Sequence, residues 1–307
     1  MQATHRAHGL GRWMAVIPAA IMLLAGCATP PPLAPWRGQA VPDFRQAGPI
    51  APNNISVTQV ANIAVDGCAA DVELHEPAGA TTTAALVFAH GFLHEIRQHR
   101  ELAQHLAGWG VPTYLVGLCR GGWLRGGVPV FARLMRAVAD QSKLGQVIYG
   151  GFSAGGSAAY LAALDDPRTV GLLGLDPVGH GAPNAARRAT FPAYGLFGPA
   201  NFCNAQQSGR SLFGAGPDDV MRELAFATHC HFESPTDMLC RLPCGEPGDG
   251  QYRQEQHRRI YALATAFARW RAGLDPEPPT TWWQNFNGVL TQPPALRGAP
   301  SGPAFTH

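Results

Sequence analysis

The chain has 307 residues, 46% of them hydrophobic and 14% charged, with 23 basic against 21 acidic side chains and a formal net charge of +2. That hydrophobic share excludes a disordered chain. The near balance of charge, with Lys143 the sole lysine, leaves no basic cluster for nucleic acid.

Arg6 and Arg12 precede an apolar run from Met14 to Ala25, which reads as an export signal too short to span a bilayer permanently. The run ends in Leu24-Ala25-Gly26-Cys27, which resembles a bacterial lipoprotein cleavage box. The resemblance implies that residues 1–26 are removed and that acyl chains on Cys27 anchor the protein to a membrane of the cell envelope. Ala28 stands where an Asp would resemble an inner-membrane retention signal, which points to the outer membrane. Residues 27–52 are rich in proline and read as a semi-extended tether. A strap packed on the body is the alternative, because Trp36 and Phe44 need cover.

Residues 53–275 make up one domain of about 225 residues, enough to bury a large core. Six cysteines remain after Cys27: Cys68, Cys119, Cys203, Cys230, Cys240 and Cys244. An even number in an exported chain favours disulfides over metal, and fifteen pairings are open in principle. Cys230, Cys240 and Cys244 lie close enough in sequence to staple one loop. A zinc reading of these with His229 and His231 lacks the usual ligand spacing, so no metal or cofactor is expected.

Short apolar strands alternate with helices along the body. Residues 55–65 and 71–77 read as an antiparallel hairpin, and 84–91 as a buried strand ending in His90-Gly91. Then come helix 95–110, strand 111–118, helix 128–142, strand 146–150, helix 154–166, strands 170–176 and 192–198, a last strand at 223–228 and a last helix at 251–273. This order calls for an α/β fold, a mostly parallel twisted sheet with helices on both faces.

Gly151-Phe152-Ser153-Ala154-Gly155 falls between a strand and a helix, the context of a nucleophile elbow. Gly151 and Gly155 leave room for the tight turn, and Ser153 starts the helix, whose free N–H groups face developing negative charge. A serine hydroxyl needs a base, and the base an orienting acid, in the order Ser, acid, His. The segment after the penultimate strand, 198–209, has no carboxylate, but Asp176 stands at the end of the strand before it, with Pro177 behind. Asp176 is therefore the expected acid, with Asp218 and Asp219 as fallbacks; Asp165 and Asp166 suit helix capping or solvent. His229 is the expected base, as the residue nearest the end of the last strand, and His231 the alternative. His257 is expected to face solvent. The oxyanion donors are expected to be the N–H of Ala154 and, next to Gly91, that of Phe92. His90 reads as a brace for that loop, and His94 as a residue lining the cleft.

These residues together, His90-Gly91-Phe92, the Ser153 segment, Leu175-Asp176-Pro177-Val178 and the run from His229 to Asp237, resemble the α/β-hydrolases of the chlorophyllase-like and polyester-hydrolase-like group over roughly residues 55–272. Plant chlorophyllases look similar at Asp-Pro-Val and use that Asp as the triad acid. The resemblance implies Ser153 as nucleophile, Asp176 as acid and His229 as base in carboxylic-ester hydrolysis. It departs at Ala154, where chlorophyllases have Arg, and at His231, where they have Asp.

The expected activity is thus a serine esterase acting on short to medium acyl chains, as a monomer with a small-molecule ester as substrate. Peptide or thioester cleavage by the same triad, or a non-catalytic envelope binding protein on this fold, are the competing readings. Residues 276–307 form a proline-rich tail whose Trp282, Trp283 and Phe286 are expected to strap over apolar surface. Gly121, Gly122 and Trp123 are expected in a loop over the cleft.

Overall fold

The computed structural model describes residues 41–119, 127–179, 190–214, 218–245 and 250–284. Strands β1 (Ile55–Val65) and β2 (Cys68–Pro77) form the expected antiparallel hairpin. Asp66 and Gly67 turn it with φ of 53° and 73°, the double positive φ that suits a two-residue hairpin. The other strands are β3 (Ala84–Ala89), β4 (Thr113–Val116), β5 (Gln146–Phe152), β6 (Thr169–Leu175), β7 (Ala193–Phe197) and β8 (Val220–Glu223). They join in the order β1-β2-β4-β3-β5-β6-β7-β8. Only β2 runs against its neighbours; all pairs from β4 to β8 are parallel. This mixed, mostly parallel sheet with helices on it is consistent with an α/β-hydrolase-like fold.

Every residue of β3, β4 and β7 is buried, which explains their unbroken apolar runs: a parallel sheet is covered on both sides. The side chains still alternate. Ala85 and Val87 of β3 join one core with α2 (Val128–Gln141) and α3 (Ala154–Asp165). Leu86 and Phe88 join the other, with α1 (Arg100–Gly108) and α5 (Gly250–Arg271). The start of the expected 95–110 helix is a 3-10 turn at Ile96–His99, whose Glu95 and Gln98 form a capping box. A short α4 (Met238–Cys244), not expected from the sequence, is capped by Asp237, which accepts from the Cys240 N–H at 3.1 Å.

The expected strand at 223–228 is displaced. The ladder to β7 runs through Val220–Glu223, and Leu224 only closes it by donating its N–H to Phe197 O at 2.7 Å. β8 is an edge strand whose last three residues are exposed, so it lacks an apolar signature. The apolar residues beyond it, Leu224 and Ala227, are buried where the chain turns down towards the cleft.

Residues 41–50 pack as a strap. Phe44 is fully buried, stacked on Trp282 at 5.7 Å and edge-on to Trp109 at 4.8 Å. The Trp282 indole N–H donates to Pro42 O at 2.7 Å, so the two ends of the described chain brace each other. Trp282 and Trp283 are buried, as a strap requires. Residues 1–40, with the expected signal, Cys27 and most of the expected tether, lie outside the described residues, as do Gly121, Gly122, Trp123 and Phe286.

The six cysteines pair as Cys68–Cys119, Cys203–Cys244 and Cys230–Cys240. Cys244 therefore reaches out of the expected local staple to fasten the loop after β7 to α4. Three disulfides mark an extracytoplasmic protein. Among the described residues, no helix is long and apolar enough to cross a membrane.

Candidate active site

The carboxyl ends of β3, β5, β6 and β8 lead to the expected residues along one end of the sheet, where open α/β sheets place their sites. β5 ends at Phe152 and α3 begins at Ala154, so Ser153 alone makes the turn, with φ 52° and ψ −122°. For a residue with a Cβ this is stored strain. A Cβ at Gly151 would run into the backbone of Gly155, and one at Gly155 into the carbonyls of Ala89 and His90, so neither position admits a side chain. The Ser153 backbone is pinned: its N–H donates to Leu175 O at 3.1 Å, and its carbonyl accepts from Gly156 and Val178 at 3.0 Å.

Asp176 follows β6 and also has a positive φ, 41°. It is fully buried. One carboxylate oxygen lies 2.6 Å from Nδ1 of His229. The other accepts from the Gly198 N–H at 2.9 Å and from Asn204 Nδ2 at 3.3 Å. The loop after β7, which offers no carboxylate, thus supplies donors to the carboxylate one strand away. The sequence reading missed Asn204. Its own side chain is fixed by donating to Pro199 O at 3.0 Å and accepting from the N–H groups of Asn201 and Gln207 at 3.0 Å. Asn201 and Asn204, three apart and just after Pro199, are a turn signal, the local cue to this loop.

His229 opens a 3-10 turn, His229–Phe232, and its ring lies on Phe152 at 4.6 Å. His231 is two residues away but does other work. Its Nδ1 accepts the Thr228 N–H at 2.8 Å and so caps that turn, and burial pushes its pKa down to about 4. Asp219 accepts from Ala193 N at 2.9 Å, at the start of β7 and so at the opposite end of that strand from Gly198. Asp166 is buried rather than solvated, and accepts from the Tyr149 hydroxyl at 2.6 Å and from Arg168. His257 is likewise buried, against the expectation of solvent, and lies parallel to Tyr261 at 5.9 Å, so burial drives its pKa down to about 4.

Ser153, Ala154, His229 and Phe92 line one cavity of about 470 Å³, together with Leu93, Val178, Phe202, Pro243 and the Cys203–Cys244 disulfide. The Ala154 N–H lies in the first turn of α3, outside the helix's own ladder. Gly91 brings the Phe92 loop against the elbow, since a Cβ there would stand 3.0 Å from the Ser153 Cβ. His90 holds this loop. Its Nδ1 lies 2.8 Å from Gly91 O, and its Nε2 accepts the Leu118 N–H at 2.8 Å. These two bonds fix a neutral ring, and burial lowers its pKa to about 4.

Two clusters have the composition of a metal site. The sulfurs of Cys230, Cys240 and Cys244 are spent in disulfides. His94, Glu233 and Asp237 bring their ligand atoms within 4.8 Å of one another. Gln98 Nε2 donates to Asp237 at 2.8 Å and lies 3.2 Å from His94 Nδ1, so two of the three already have a protein partner.

Among known proteins, no family model matches the chain and no curated protein is significantly similar to it.

Proposed function

We propose that the protein is a serine hydrolase of carboxylic esters. Ser153 attacks the ester carbonyl while His229 takes its proton, and Asp176 holds the imidazole in the tautomer with Nδ1–H. The N–H groups of Ala154 and Phe92 receive the charge that develops on the carbonyl oxygen. His229 returns the proton to the leaving alcohol, and water then releases the acid by the same route, without a cofactor. The observation that carries this reading is the His229–Asp176 pair at 2.6 Å, whose ring lines the same cavity as a serine strained at a strand-to-helix turn.

The site's apolar walls suit short to medium acyl chains. The cleavage box at Cys27 supports a lipid-anchored protein of the bacterial outer membrane, which presents a monomeric body to small ester substrates. The test is turnover of p-nitrophenyl acetate and butyrate by the body without residues 1–26, beside Ser153→Ala. Hydrolysis that disappears in the variant supports an esterase. Equal rates, or none, would return the protein to the binding class.

A further inference from the structure

A second cavity, of about 570 Å³, lies at the same end of the sheet. It is bounded by the segments after β3 and β4 and by β1 and β2, and its walls are polar: Gln59, Asp71, Glu73, Arg97 and Arg100. Neither Ser153 nor His229 lines it. Among the described residues, His94 alone lines both this cavity and the serine cavity.

His94 is placed as a wall. A single methyl group added at Gly91 would stand 3.0 Å from the Ser153 Cβ and 3.1 Å from the His94 Cδ2, so the ring edge and the serine flank the same point beside Gly91. The ring is held edge-on to Phe152 at 5.4 Å. Its far side is held by Glu233, whose Oε2 lies 2.7 Å from Nδ1. Glu233 is fully buried, and among the described residues no hydrogen-bond donor satisfies either of its oxygens, so the His94 ring is the polar group set against its carboxylate. The strand of chain that carries Glu233 is fastened to the His94 segment by the Ser234 N–H, which donates to Gln98 O at 2.8 Å. Burying two polar groups against each other costs desolvation, and here the contact fixes the orientation of the ring.

We infer that His94 sets the length of acyl chain this enzyme accepts, by closing the serine cavity off from the polar cavity behind it. The inference rests on the esterase reading. With His94 in place the acyl group ends against the imidazole. With the ring removed, a longer chain passes through, and its far end meets Gln59, Asp71 and the Arg97 and Arg100 side chains. Such a chain is best accepted when it ends in a polar group. His94 is a specificity-determining residue here and takes no part in proton transfer.

The experiment compares kcat/KM for p-nitrophenyl butyrate and p-nitrophenyl 8-hydroxyoctanoate in the wild type, His94→Ala, His94→Phe and the double variant His94→Ala/Glu233→Gln. The double variant removes the carboxylate that His94→Ala alone would leave buried and unpaired. Labelling by a fluorophosphonate reports in each case whether the serine centre is intact. The long-to-short ratio should rise tenfold or more in His94→Ala or the double variant, and stay near the wild-type value in His94→Phe, which rebuilds a wall. A ratio within threefold of wild type in alanine variants that still label overturns the inference and leaves the esterase reading standing. A wild-type protein that neither labels nor turns over either ester would take down both.

Discussion

Two histidines in this molecule carry a buried carboxylate at nearly the same distance, 2.6 Å for His229–Asp176 and 2.7 Å for His94–Glu233, and the two pairs are built differently. Asp176 has its second oxygen occupied by the Gly198 N–H and Asn204, so every acceptor position it needs is filled. Glu233 has no hydrogen-bond donor on either oxygen among the described residues. A carboxylate held by further neutral donors keeps its orientation independently of its histidine, whereas one with a histidine as its sole polar neighbour is oriented by that contact alone. The first arrangement suits a base that must cycle; the second suits a ring that must stay where it is.

Substitutions at each pair separate them. The largest effect belongs to the proposed nucleophile, which only the first pair serves: Ser153→Ala should lower kcat/KM on p-nitrophenyl butyrate by about 10⁴-fold or more, with the melting temperature little changed because alanine keeps the Cβ that strains the turn. Asp176→Asn should lower kcat by about 10³- to 10⁴-fold, because an amide stabilises the wrong tautomer. A loss below tenfold, read in the same assay, would mean that another group orients His229.

A third contrast sets these two histidines against those without a carboxylate partner. His90, His105, His231 and His257 are held neutral by burial, each with its pKa lowered from 6.5 to about 4. In the unfolded chain they bind protons near pH 6.5, so the unfolded state holds more protons between the two values. The stability they contribute is complete above about pH 6.5 and is lost as pH falls towards about 4, at about 1.4 kcal/mol per proton per pH unit. Urea midpoints measured at pH 7, 6 and 5 should fall with growing slope, and His231→Gln should flatten the curve.

Asn204→Ala should cost about tenfold in kcat and about 1–2 kcal/mol in stability, since it strips one donor from Asp176 and empties a turn. Glu233→Gln should be the mildest on rate, a few-fold on short esters, while lowering stability by about 3 kcal/mol or less through the pair it breaks. A loss near that of Asp176→Asn would erase the distinction between the two pairs.

How much of this was open to the sequence follows from the range of each signal. The elbow was legible because strand, glycines, serine and helix are contiguous and each is demanded by local sterics. Asp176 was legible because Pro177 ends the strand at that residue. The last strand was misplaced because β8 lies at an edge, where backbone pairing rather than burial defines it. His257 was misread because α5 is buried on more of its circumference than an amphipathic pattern suggests, with Gln256, His257 and Arg259 all inside. The partnership of His94 with Glu233, and of Asn204 with Asp176, has no local signature: side chains far apart in the chain meet only because the sheet brings their loops to one edge. The tether was read from proline content, which does not reveal that Phe44 finds a slot between Trp109 and Trp282.

In the proposed reaction the strained hydroxyl at the end of β5 is the nucleophile. Mass spectrometry of the protein after treatment with a fluorophosphonate tests it most directly. The adduct should map to Ser153 and be absent from Ser153→Ala. No adduct, or an adduct on another residue that persists in the variant, would contradict the account.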